Sequence, residues 1–209
     1  MHPTRSAYLD AADAAVGLLG LDALHDHWDD ESILTGWPTS VLAGHLARSL
    51  LQVEWFLDAE EPPTDTVTAV DYYSALLGVR DPSSALNQGV RARSEETAAV
   101  GWAGLASETA SCAERLRARL GAEPDARRVD AFGRPMLLDE YLRTRLIELS
   151  VHGDDLAESL GVPSPIPPAS MDVATDVLVD VARRTKGSLA VLRALTRRER
   201  DDSEALRVL

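Results

Sequence analysis

Along most of the chain, apolar residues recur at intervals of three and four rather than two, the period of a helix that buries one face. That spacing predicts helices over 4–19, 39–59, 66–77, 83–120, 137–160, 169–185 and 188–198. Four of them are long enough to pair their apolar faces in a bundle, whereas 66–77 reads as a connection. The stretch 83–120 exceeds an ordinary globular helix, and Gly101 or Gly104 is where it is expected to break. Three breaks rich in proline and acid separate the helices: Glu60-Glu61-Pro62-Pro63, Ala122-Glu123-Pro124-Asp125 and Pro163-Ser164-Pro165-Ile166-Pro167-Pro168. Proline has no amide proton and disfavours helix in the residue before it, so helices stop at these points. Only Arg128 to Phe132, closed by Gly133, reads as extended. Thr39 and Ser40 are placed to cap the second helix, and Asp139 and Glu140 put negative charge in the first turn of 137–160, where the dipole favours it. The fold class is therefore all-α: a helical body over 1–161, with a C-terminal extension of short helices over 162–209 packed on it. The end of that extension (Arg197, Arg198, Glu199, Arg200, Asp201, Asp202) is charged and expected to be solvated.

The informative helix is 137–160. Tyr141, Arg145, Glu148, His152, Asp155 and Ser159 follow one another at spacings of 4, 3, 4, 3 and 4, which aligns them on one stripe. Beside it runs an apolar stripe of Leu138, Leu142, Leu146, Leu149, Leu156 and Leu160. Glu148 and His152 emerge one turn apart and can converge on one ion. By spacing alone, a solvated face carrying an incidental Glu–His pair is the simpler account, since E-x-x-x-H often arises by accident. Of the five histidines, His2, His25 and His27 fall at the start of the chain or in a polar loop. His45 instead lies inside the second helix among Val41, Leu42, Leu46, Leu50 and Val53, so it borders the core. It is either a hydrogen-bonded core residue or, where helices 39–59 and 137–160 are neighbours, a third ligand. Two imidazoles and a carboxylate suit zinc, nickel or ferrous iron and leave a coordination position open.

Composition narrows the partners. The chain has 209 residues, with 21 lysines and arginines against 34 aspartates and glutamates, a net charge of −13. That sign opposes nucleic acid or an anionic membrane as the main partner. The single cysteine, Cys112, excludes an intrachain disulfide and a multi-thiolate zinc finger, and it reads as a buried, inert thiol. There is no apolar run long enough to span a membrane and no signal-like start, so a cytoplasmic location is expected. Trp37, Trp55 and Trp102 are expected at the core or its edge, and Arg115, Arg117 and Arg119 complement the dipole at the end of 83–120.

Two segments carry a family resemblance. Gly36-Trp37-Pro38-Thr39-Ser40-Val41-Leu42-Ala43-Gly44-His45-Leu46 resembles the start of the second helix of the DinB-like, mycothiol-dependent maleylpyruvate isomerase family. Thr144-Arg145-Leu146-Ile147-Glu148-Leu149-Ser150-Val151-His152-Gly153-Asp154-Asp155-Leu156 resembles that family's T-R-x-x-E-x-x-x-H-x-x-D-L segment. The resemblance extends over residues 4–161. It implies a DinB-like up-down-down-up four-helix bundle with a divalent metal, zinc first and nickel or iron after it, held by His45, Glu148 and His152. It also implies mycothiol as thiol cofactor and a small electrophile as substrate, in a thiol-transferase or isomerase reaction. Asp155 and Tyr141 would then sit on the cofactor side, with Arg145 and Asp155 as support; a homodimer is expected by analogy. Family members that isomerise maleylpyruvate carry a second domain supplying an arginine, and only about 48 residues follow Gly161 here. The alternative reading is a non-catalytic metal- or ligand-binding bundle that serves as a sensor or partner domain.

Overall fold

The computed structural model describes residues 2–63, 66–76, 84–196 and 203–208. The expected helix ends at 77, 83 and 197–198, and the charged residues Arg197 to Asp202, lie outside the described residues. The described elements are α1 (Pro3–Leu19), α2 (Asp22–Asp26), α3 (Thr39–Asp58), α4 (Ala69–Leu76), α5 (Ala85–Ala98), α6 (Gly101–Ala122), α7 (Leu138–Ser159), α8 (Pro168–Lys186) and α9 (Ser188–Thr196). A short antiparallel hairpin, β1 (Arg128–Asp130) and β2 (Pro135–Leu137), precedes α7, and a 3-10 turn spans Ser203–Ala205. The protein is all-α apart from that hairpin. Among the described residues no helix is long and apolar enough to cross a membrane.

Side-chain pairs give the directions of α1, α3, α6 and α7. Arg5, near the start of α1, reaches Asp139 at the start of α7, so these two run parallel. The indole N–H of Trp102, at the start of α6, donates to Leu19 O at the end of α1, so α1 and α6 are antiparallel. Arg115 pairs with Glu54 and Arg119 with Asp58, a matched four-residue step that makes α6 parallel to α3. Gln52 meets Arg145 while His45 meets Glu148, so α3 and α7 are antiparallel. The order is up-down-down-up. The apolar stripe of α7 turns inward as its spacing requires: Leu138, Leu142, Leu146, Leu149 and Leu156 are fully buried, in one core with Leu42, Leu46 and Leu50 of α3 and Leu116 and Leu120 of α6. Each such side chain stabilises the fold by about 1.5–3 kcal/mol.

Several expectations are corrected by packing. The long stretch 83–120 divides into α5 and α6, with Gly101 at φ 76° making the turn that a residue with a side chain resists. Ser84 caps α5 by accepting from the Asn87 amide. Thr39 and Ser40 do not cap α3; Pro38 flanks the helix, and the Thr39 amide and hydroxyl both donate to Asp30 O in the preceding loop. The segment 66–77 is more than a connection, because α4 packs between α7 and α8 and buries Tyr73. Trp55 is 46% exposed beneath the Arg48 guanidinium rather than in the core. Arg115, Arg117 and Arg119 pair with Glu54, Asp13 and Asp58 on neighbouring helices, which gives them a role beyond the dipole. The short α2 was not anticipated, since five residues are too few for a periodic signal.

Candidate functional site

The site forms where α3 and α7 cross. His45 Nε2 lies 3.3 Å and His152 Nε2 3.5 Å from the same Glu148 oxygen, Oε2, and the two imidazole rings are 4.6 Å apart edge to face. The three donor atoms lie within 4.8 Å of one another. Ligands placed tetrahedrally about 2.1 Å from an ion stand about 3.4 Å apart, close to the 3.3 and 3.5 Å that separate the two imidazoles from Glu148 Oε2, so the spacing suits a transition-metal dication. Glycine makes the convergence close: a Cβ on Gly44 would collide with the Ser94 carbonyl oxygen and press on Ala98. Its absence lets α5 lie against α3 beside His45.

Each ligand candidate is oriented from behind. The Ser94 hydroxyl gives its one proton to Val90 O, so toward His45 Nδ1, at 3.3 Å, it can only accept. His45 therefore carries its proton on Nδ1 and presents a lone pair at Nε2. His152 Nδ1 lies 3.0 Å from Asp155 Oδ2 and donates to it. The Tyr73 hydroxyl, from α4, donates to Glu148 Oε1 at 2.7 Å and leaves Oε2 to face the two histidines. This arrangement, a carboxylate or hydroxyl behind each ligand, is how proteins commonly set the tautomer and aim of metal-binding side chains.

Two imidazole nitrogens directed at one carboxylate oxygen need a cation among them. In the metal-free chain a proton fills that need. Burial opposes charge on His152, but its bonds to Asp155 and Glu148 outweigh that and raise it from 6.5 to about 9. Burial, then the neighbouring His152, lowers His45, so it stays neutral. Burial alone would raise Glu148, yet the bond from His152 and the charge of Arg145 hold its carboxyl well below the usual range. One carboxylate, one imidazolium and one neutral imidazole thus share a space that a dication bound to two neutral imidazoles also balances. The residues present fit such an ion.

A cavity of about 820 Å³ opens beside the triad and is lined by both His45 and Glu148. It gives a small molecule a path to these groups. Arg145 lies on its wall, buried, with Nη1 donating to Gln52 Oε1 at 3.0 Å and its guanidinium 5.1 Å above the Tyr141 ring. Its Nη2 stands 3.9 Å from Glu148 Oε1.

The stripe read from α7 is thus divided by the fold. Arg145, Glu148, His152 and Asp155 gather at the site. Tyr141 is 1% exposed, packs on Phe56 and does not line the cavity; its hydroxyl has no hydrogen-bond partner among the described residues. Ser159 lies a turn beyond Asp155 and accepts from the Ile33 amide, tying the loop before α3 to α7. Sequence reasoning missed Ser94 and Tyr73. Neither stands in a motif, and each reaches its partner from a helix whose position is a tertiary fact. Cys112 is fully buried, and burial followed by Glu54 pushes its thiol up to about 12, as expected of an inert group.

Comparison with known proteins agrees with the resemblance. The family model described as "Mycothiol maleylpyruvate isomerase N-terminal domain" matches residues 9–157. Two similar proteins, both named uncharacterized, come from Mycobacterium tuberculosis strains CDC 1551 / Oshkosh and ATCC 25618 / H37Rv. Each is 32% identical over 143 residues, which cover 67% of this chain and 50% of the relative. The chain therefore spans about half the length of the curated relatives it matches. No solved structure matches.

Proposed function

The chain belongs to the mycothiol maleylpyruvate isomerase N-terminal domain family, and on that premise we propose that it is a metal-dependent, mycothiol-using enzyme of the thiol-transferase or isomerase type. His45, Glu148 and His152 hold the metal, zinc by the chemistry of its donors. When bound, a divalent cation supplies the positive charge that keeps a thiol ionised at neutral pH. The observation that carries the reading is the convergence of both Nε2 atoms on Glu148 Oε2, with each Nδ1 committed elsewhere.

The remaining work belongs to the chain's own residues. Ser94 and Asp155 keep the two imidazoles aimed, and Tyr73 holds the far oxygen of Glu148 so that one oxygen serves the centre. Arg145 offsets the carboxylate charge from the cavity side. The cavity admits a thiol and a small electrophile to the same wall, which converts their encounter into a positioned one.

The test is metal content per chain by mass spectrometry, on the native protein and on Glu148→Ala purified identically. About one equivalent in the first and almost none in the second supports the reading, and conjugation of a generic electrophile in the presence of mycothiol then tests turnover. Equal metal in both, or none in either, refutes it.

A further inference from the structure

The cavity beside the triad gathers positive charge that the rest of the molecule would be expected to neutralise. Arg48, Arg93 and Arg134 all line it, and none has a carboxylate within ion-pairing distance among the described residues. Among the described residues most other arginines are paired: Arg5 with Asp139, Arg115 with Glu54, Arg119 with Asp58, Arg184 with Asp71. Arg193 is the other described arginine without such a partner. With 34 acidic residues available against 21 basic ones, three unpaired arginines in one cavity stand apart from the general pattern.

Two of the three are fixed in place by weaker contacts that leave donors free. Arg48 donates from Nη1 to Thr97 Oγ1 at 3.2 Å and lies over the Trp55 ring. Arg134 donates from Nη1 to Tyr72 O at 3.2 Å and lies over the Tyr72 ring. A guanidinium has five N–H donors in a planar fork, so both retain an edge for a carboxylate or sulfonate. Arg93 lines the same cavity from α5, one residue before Ser94. The rest of the wall is largely apolar, with Leu76, Leu86 and Val90 from α4 and α5 and Phe132 from the hairpin. A wall of that kind rejects a free inorganic anion's hydration shell and rewards a hydrocarbon body.

We propose that this cavity binds an organic anion with an apolar body, its single carboxylate or sulfonate held by Arg48, Arg93 and Arg134 and its body against Leu76, Leu86 and Val90. The substrate class rests on the reading of the triad as the place where the thiol is activated. The anion site itself is made by α3, α5 and the hairpin, and does not need the metal. Because the net charge of −13 repels anions at long range, recognition comes from these three cations at contact.

The experiment titrates the full chain with 2-naphthoate and with its neutral isostere 2-naphthamide, by calorimetry in 150 mM salt, both after chelator treatment and with zinc restored. Naphthoate is expected to bind at least tenfold tighter than naphthamide in both states. The preference is expected to disappear in R93Q/R134Q and to persist in R183Q, whose arginine pairs with Asp180 on the exposed surface of α8 and does not line the cavity. Equal binding of acid and amide by the native chain, or no binding of either, overturns the proposal without any variant having to fold. A preference present only with zinc would assign the anion to the metal and overturn it too. The metal-content measurement on Glu148→Ala judges the triad separately, so failure of one reading is distinguishable from failure of the other.

Discussion

Replacing Tyr73 with phenylalanine removes one oxygen and changes no packing, and the structure says what that oxygen does. The hydroxyl is buried, donates to Glu148 Oε1 at 2.7 Å, and comes from α4, an element outside the four bundle helices α1, α3, α6 and α7. A hydrogen bond to a charged group contributes about 1.5–3 kcal/mol. When Glu148 is called on to ligate, the same bond fixes which oxygen faces the histidines, and loss of such a contact costs about 10–100-fold in metal affinity. At 1.4 kcal/mol per decade that range is about 1.4–2.8 kcal/mol, the same size as the hydrogen bond itself. The assay is competition for zinc against a chromophoric chelator at fixed pH, with circular dichroism to confirm the helix content. Y73F should still bind one zinc, at 10–100-fold lower affinity. Unchanged affinity would refute the argument, because it would mean that Glu148 is held equally well without Tyr73.

Three further outcomes are expected. His152 is raised from 6.5 to about 9 in the metal-free chain, so the stability its charged form contributes is full below about 6.5 and is lost as pH rises through about 9. Thermal melting of chelator-treated protein should therefore fall between pH 7 and pH 9.5. Since the ion must displace that proton, zinc affinity should climb about tenfold per pH unit until about pH 9 and then level off; a flat profile would contradict the protonation assigned to His152. Gly44→Ala drives a methyl into the Ser94 carbonyl, so it should cost about 1–3 kcal/mol of stability in denaturant melts. It should weaken zinc binding as well, by separating Ser94 from His45. Cys112, buried and pushed up to about 12, should resist iodoacetamide at pH 8 in the folded chain and react once unfolded. Rapid labelling of the native protein would show that α6 opens.

The periodicity of the sequence determined the helical class, the four long elements and the inward face of α7, because burying a three-four stripe is a local demand that any compact partner satisfies. Spacing alone also put Arg145, Glu148, His152 and Asp155 on one line, since a helix makes neighbours of residues three and four apart. It could not say whether His45 was a core histidine or belonged with them. That depended on α3 running antiparallel to α7 at a close crossing, a relation between residues about a hundred positions apart that no local pattern encodes. The same holds for Tyr73 and Ser94, whose roles come from α4 and α5 closing on the site. It holds too for the arginines: Arg48, Arg93 and Arg134 look like ordinary surface charge in the sequence. Only folding separates them from the carboxylates that neutralise the others, because proximity in space, not composition, decides which charges are paired.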